Sequence, residues 1–364
     1  MLRKRIIWID LVRAFGMLMI ICGHSLANPN GNVGNMVYAI NVPIFFILSG
    51  YLYRPQKIKV QCKKLFYNLL VPYIGTSLII LIISVFLNYT GPFEYIKSYG
   101  SFTSVLSAGI WGMGSPTRLI GTHYIMPAIG AIWFLFALFW DSLIFNILMK
   151  SLIKVKGSFW LVGIISIVSM AFGFISIIPG YIPWSMNAAF IGLFFIWMGQ
   201  LFKRISILSQ NRLIKMIFML FGCCLWIISE LTNTHFGLNI ATSNHPLISI
   251  LSACGASLAI IIIFNSIEKI FNGRILYYLS LYGKYSLAVL SMHIIDVDLF
   301  TFSAQIVAKI PLREATAIII IIHIIISIVG IVLFRSIPFI RSIFFNREWP
   351  FKFQINRRLY DYKR

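Results

Sequence analysis

Arg13 and His24 stand in the first apolar stretch of the chain, Trp8 to Leu26, with ten residues between them. Eleven positions make about three helical turns, so on a helix the two side chains share nearly one face and lie roughly 16 Å apart along the axis. A histidine titrates near neutrality and can take a proton from a hydroxyl as general base. An arginine presents a fixed fork of donors that clamps a phosphate or a polarised carbonyl. Asp10 precedes Arg13 by three residues, a spacing that allows a helical ion pair. Both roles of Arg13 can hold at once. The competing reading of His24 is a hydrogen bond to a neighbouring helix.

The elements that must position these residues are membrane helices. Trp8 to Leu26 follows the basic cluster Arg3-Lys4-Arg5 and is long enough to cross a bilayer. Ionisable groups there cost roughly 2.5 kcal/mol or more each at the helix centre unless they face a partner or a wet cavity. A span that keeps an aspartate, an arginine and a histidine uses them, and their register suggests a polar seam through the membrane. The stretch is too long and too polar for a cleavable signal peptide, and no small-residue cleavage site follows it.

Of 364 residues, 59% are hydrophobic and 11% charged, against roughly 25% charged in an ordinary soluble domain. The expected fold is therefore an all-α polytopic membrane protein. Ten apolar segments carry it: 6–27, 35–53, 66–88, 124–148, 158–179, 184–202, 214–232, 247–267, 276–298 and 315–337. The net charge of +21 could suggest nucleic acid. Here the basic residues sit in short clusters between spans, which is the positive-inside pattern with contacts to anionic lipid heads, so no nucleic-acid partner is expected. With the amino terminus in the cytoplasm, 25 of the 31 Lys and Arg fall on the cytoplasmic side. Both termini are then cytoplasmic, in a multi-pass protein of the cytoplasmic membrane.

Residues 1–345 read as one integral-membrane domain and 346–364 as a basic cytoplasmic tail lying against anionic lipid. The one long connection, Asn88 to Thr122, falls on the outer face and carries Trp111 and Arg118, with His123 following. Cys22, Cys62, Cys223, Cys224 and Cys254 show no metal-ligand spacing and no disulfide framework, so they read as small packing residues; no metal and no bound cofactor are expected.

Further motifs follow in order. Span two opens on Asn41-Val42-Pro43 and continues through Phe45-Phe46 to Ser49-Gly50-Tyr51. Ser49-Gly50 is a small pair that lets helices approach, and no Gly-x-Ser-x-Gly elbow makes the serine a nucleophile. Five positive charges from Arg54 to Lys64, before Leu69-Leu70-Val71-Pro72-Tyr73, either attract phosphates or only set topology. Span four carries Trp133-Phe134-Leu135 in what reads physically as an aromatic packing stripe. Span nine carries Gly283-Lys284-Tyr285-Ser286 and then His293. On a continuous helix Ser286 and His293 share a face while Lys284 points away. His293 falls at a depth similar to His24, where it either shapes a site or is structural. His323, alone in an isoleucine run with no partner in register, reads as structural.

Together these motifs resemble the integral-membrane acyltransferase 3 family, and within it the branch of sugar O-acetylases of the fucose 4-O-acetylase type. The resemblance runs from Arg13 to His293. It departs at Asn41, where relatives in that branch often carry a histidine before Met-Pro; asparagine can still hydrogen-bond a substrate. The resemblance implies that His24 is the base that activates an acceptor hydroxyl and that Arg13 binds or orients an acyl-CoA donor. Asp10, Asn41, Ser49, Trp133, Ser286 and His293 are then candidates for binding donor or acceptor. The implied reaction moves an acyl group, acetyl first among them, from cytoplasmic acyl-CoA to a hydroxyl of a cell-envelope polysaccharide or its lipid-linked precursor. Acyl-CoA is thus a donor substrate, and lipids and the glycan are the other partners. A glycolipid or polysaccharide flippase also needs polar residues along an intramembrane path, although neither inverted repeats nor paired broken helices are evident. Consumption of acyl-CoA separates the two. The Ile-, Asn- and Lys-rich composition suggests an AT-rich bacterial genome.

Overall fold

The computed structural model describes residues 6–26, 31–90, 101–271, 273–300 and 302–346. The cluster Arg3-Lys4-Arg5 and all but the first residue of the expected tail lie outside the described residues. Among the described residues, nine helices are long and apolar enough to cross a membrane.

Helix α1 spans Ile7–Ser25. The second span is broken into α2 (Asn32–Ile40) and α3 (Pro43–Leu52). Pro43 takes the first position of α3, where its missing N–H removes no hydrogen bond, and the break falls just before it. Helix α4 (Ile58–Leu65) runs through a π-turn at Phe66–Leu70 into α5 (Val71–Thr90), so much of the basic stretch expected as a loop is helical. The long connection after α5 contains α6 (Phe102–Trp111). Helices α7 (Trp133–Ser151), α8 (Ser158–Ile175), α9 (Met186–Arg204), α10 (Arg212–Leu231) and α11 (Pro246–Ile270) follow. The expected ninth span is not one helix but two, α12 (Arg274–Lys284) and α13 (Ser286–Leu299), interrupted at Tyr285. Short α14 (Phe302–Lys309) leads into α15 (Leu312–Ser336).

The fourth span also begins later than hydropathy suggests, at Trp133. Residues before it are held in extended pairings, Thr117–Arg118 against Ile125–Met126 and Met113 against Ala128, which satisfy the backbone without a helix. Gly130 closes this segment with φ +76, a conformation that favours glycine, and a Cβ there would meet Asp298 Oδ2 at 2.8 Å.

Close helix contacts follow the small residues. A Cβ on Gly50 would lie 1.9 Å from Ile196 O, and one on Gly199 the same distance from Ile47 O, so α3 and α9 touch backbone to backbone. Ser49-Gly50 is thus part of a packing seam, as its residue types suggested. A Cβ on Gly283 would lie 1.7 Å from Asp10 O, which presses α12 against the start of α1. Gly330 likewise receives the side chain of Met292, bringing α15 onto α13. The outward face of α15, with Ile321, Ile325, Ile328 and Val332 exposed, is apolar as a lipid-facing surface must be.

Candidate active site

His24 sits in the last turn of α1. Its neighbours Gly23 and Ser25 are buried, yet His24 itself is exposed, so the histidine looks into an opening rather than into packing. Its Nδ1 lies 3.0 Å from Nε2 of His293, and the two rings are within 14° of parallel. One nitrogen of this pair donates and the other accepts. His293 is fully buried on α13. The break at Tyr285 frees α13 from the axis of α12, so one segment packs against Asp10 and the other reaches His24. Register along one helix could not supply that meeting, because His24 and His293 lie on different helices. Ser286 starts α13 on the same helix as His293 and is half-buried.

The break in the second span lies against Gly23, the residue before His24. Asn41 is buried there; its Oδ1 accepts from the Val42 backbone N–H at 2.7 Å. Its Nδ2 lies 3.6 Å from where a Cβ on Gly23 would be. The Tyr38 hydroxyl donates to Gly23 O at 3.1 Å. Among the last carbonyls of a helix, which lack intrahelical donors, Gly23 O thus gains a side-chain partner.

A second polar pair adjoins the first. His323 on α15 places Nδ1 2.5 Å from Asp296 Oδ2, and its ring meets that of His293 edge to face with centroids 5.1 Å apart. Ser303 Oγ lies 3.4 Å from His323 Nε2. Both members of the pair are buried. This corrects the expectation of an isolated His323: its partner comes from another helix, where register along the isoleucine run cannot reveal it. Asp296, three residues after His293 on α13, was a residue that sequence reasoning missed, although an acid inside an apolar span was a usable signal. One ligating atom each from His293, Asp296 and His323 lies within 4.8 Å of the other two, so these three are the residues that could hold a metal ion among those described.

Arg13 lies in the second turn of α1, toward the opposite end. Its guanidinium is 3.2 Å from Asp10 Oδ1, and the side chain keeps 36% of its surface accessible beside an aspartate that is nearly enclosed. The ion pair read from the spacing is present, and the exposed part of the fork remains open to a ligand. Nearby, Glu268 of α11 accepts from the backbone N–H groups of Ile7 (3.1 Å) and Trp8 (3.3 Å), so a carboxylate caps α1 at its positive end.

Two candidates are not brought into this arrangement. Trp133 is buried in packing, where Cβ atoms on Gly114 would meet its ring at 2.5 Å. Ser49 is half-buried on α3, next to the Gly50 that touches α9. Neither makes a hydrogen bond or ring contact to His24 or His293 among the described residues.

One helix therefore carries an open imidazole, positioned by a second imidazole, at one end and a partly open guanidinium at the other. Chemically this can take a proton at one site and hold an anionic or polarised group at the other. The model of a protein family described as an acyltransferase domain matches residues 6–336. No curated protein matches the chain.

Proposed function

Because the chain belongs to the acyltransferase 3 family, we propose that it moves an acyl group, acetyl in the first instance, from cytoplasmic acyl-CoA to a hydroxyl of a cell-envelope polysaccharide or its lipid-linked precursor. The observation that carries this reading is the open His24 imidazole held by His293 at 3.0 Å. In the reaction, Nε2 of His24 takes the acceptor proton while the oxygen attacks the thioester carbonyl. The C–S bond then breaks, and the departing thiolate recovers a proton from the imidazolium. Arg13, about three helical turns away, binds the phosphate-bearing part of the donor, and the flexible arm of coenzyme A bridges to His24.

The charge distribution supports an orientation with Arg13 toward the cytoplasm and His24 toward the outer side, ten crossings counting the broken α12–α13 span, and residence in the cytoplasmic membrane. It is in this orientation that donor and acceptor approach from opposite sides.

The test is release of free coenzyme A by the full-length protein in lipid, supplied with acetyl-CoA and a crude envelope glycan fraction. Release that requires the glycan and disappears in His24→Ala is the expected result. Absence of turnover with every fraction, while folded His24→Ala and Arg13→Ala variants still abolish export of surface glycan, would replace the transferase with a flippase.

A further inference from the structure

We propose that Asp296 and His323 form a buried positioning pair that fixes the proton of His293 on Nδ1, and thereby leaves Nε2 of His24 unprotonated to receive the acceptor proton. The inference rests on the reading of His24 as the base and assigns two residues that reading does not use.

The argument begins with the single hydrogen bond between His24 Nδ1 and His293 Nε2. Which nitrogen of an imidazole carries its proton is set by what the other nitrogen faces. A neutral His24 can act as a base at Nε2 only if its proton is on Nδ1. That proton then donates to His293, whose own proton must sit on Nδ1. Two buried polar atoms in this cluster have no hydrogen-bond partner among the described residues, His293 Nδ1 and Asp296 Oδ1. A ring nitrogen of His293 and an oxygen of Asp296 lie within 4.8 Å of each other. In a buried setting, a carboxylate that near attracts an N–H and repels a lone pair, so it selects the tautomer that the base requires. His323 holds the carboxylate in place, since its Nδ1 approaches Oδ2 at 2.5 Å and leaves Oδ1 turned elsewhere.

The pair also acts on the reaction. With Asp296 ionised and three neutral imidazoles, the cluster carries one buried negative charge. When the acceptor O–H breaks and Nε2–H forms on His24, the cluster becomes neutral overall. Its electrostatics thus improve as the transition state forms, which is the differential interaction that raises kcat.

A metal ion on the same residues fits less well. Two ligands of one tetrahedral zinc at about 2.1 Å stand roughly 3.4 Å apart, whereas Asp296 and His323 are at hydrogen-bond distance, 2.5 Å. A divalent ion with one carboxylate would also leave a positive charge in the apolar interior. A metal on His293 Nδ1 would moreover place the proton of Nε2 toward His24 and block the base.

The experiment compares wild type, Asp296→Asn, Asp296→Glu and His24→Ala as full-length proteins in lipid nanodiscs, by coenzyme A release from acetyl-CoA with the envelope glycan fraction and by ¹⁵N-histidine NMR. Asparagine keeps the shape but removes the charge. The expected result for Asp296→Asn is kcat lower by about 100-fold, with KM for acetyl-CoA within about 3-fold. Its pH profile changes, partial recovery follows in Asp296→Glu, and the His24 Nε2 resonance moves from the unprotonated to the protonated range. Wild-type kcat and an unchanged Nε2 signal in Asp296→Asn would overturn the proposal. So would stoichiometric metal in the wild type that is lost in His323→Ala. A wild type inert toward acetyl-CoA whose Nε2 signal still depends on Asp296 would sink the acyl-transfer reading and leave the positioning pair standing.

Discussion

The two ends of α1 are built on different principles. At the Arg13 end the charges are paired in the resting protein: Asp10 holds the guanidinium at 3.2 Å, and Glu268 accepts from two backbone N–H groups of the first turn. Gly283 brings α12 into backbone contact there. At the His24 end the partner is another imidazole, the helix next to it is interrupted at Asn41, and the His24 ring is exposed. In the proposed reaction one end is a clamp whose charges are fixed in advance, and the other is a place where a charge appears. A binding end tolerates prepaid ion pairs because they do not change along the reaction, whereas an acid–base end must keep its nitrogen free until the acceptor arrives.

Substitutions at either end should therefore fail differently. The largest effect belongs to His24→Ala, which removes the group that changes charge: turnover should fall by about 1,000-fold, near 4 kcal/mol of barrier, with the melting temperature close to wild type. Retained turnover would erase the distinction between the ends. Next comes Gly283→Leu, whose Cβ alone would overlap Asp10 O. Overpacking of this kind costs about 3 kcal/mol, and it should show as low yield and a lowered melting temperature rather than as a changed pH profile. Arg13→Ala should raise KM for acetyl-CoA about tenfold, or ~1.4 kcal/mol, with kcat changed far less; an effect on kcat alone would move Arg13 to the reacting end. The smallest is Glu268→Gln, where loss of the charge at the positive end of α1 should lower stability by about 0.5 to 1 kcal/mol and leave both kinetic constants in place.

Much of this architecture is legible in sequence because it is local. Hydropathy locates the spans, Pro43 marks the first break, and the Arg13 and His24 register holds because a single helix carries both. The break at Tyr285 is not legible in that way, since no proline marks it and the glycine two residues earlier serves close packing instead. Nor is the Asp296–His323 pair, whose members are 27 residues apart on different helices. Spacing along a chain reports neighbours on one helix face, and contacts between faces are decided by which helices pack together. The opening at His24 escapes for the same reason, because exposure of one residue between two buried ones depends on what the surrounding helices leave uncovered.

The capping of α1 bears on how the protein is made. Ile7 and Trp8 rest on a carboxylate 261 and 260 positions later, and His24 on a ring 269 positions later. A ribosome adding roughly 5 to 20 residues per second emits His293 about 13 to 54 s after His24. Throughout that interval Asp10 and Arg13 have each other within α1, but His24 lacks its ring partner and the first backbone N–H groups lack their carboxylate. The first span is thus made well before the groups that hold its two ends. A chain cut after α9 would lack both Glu268 and His293, so loss of the later helices is felt at the start of the protein.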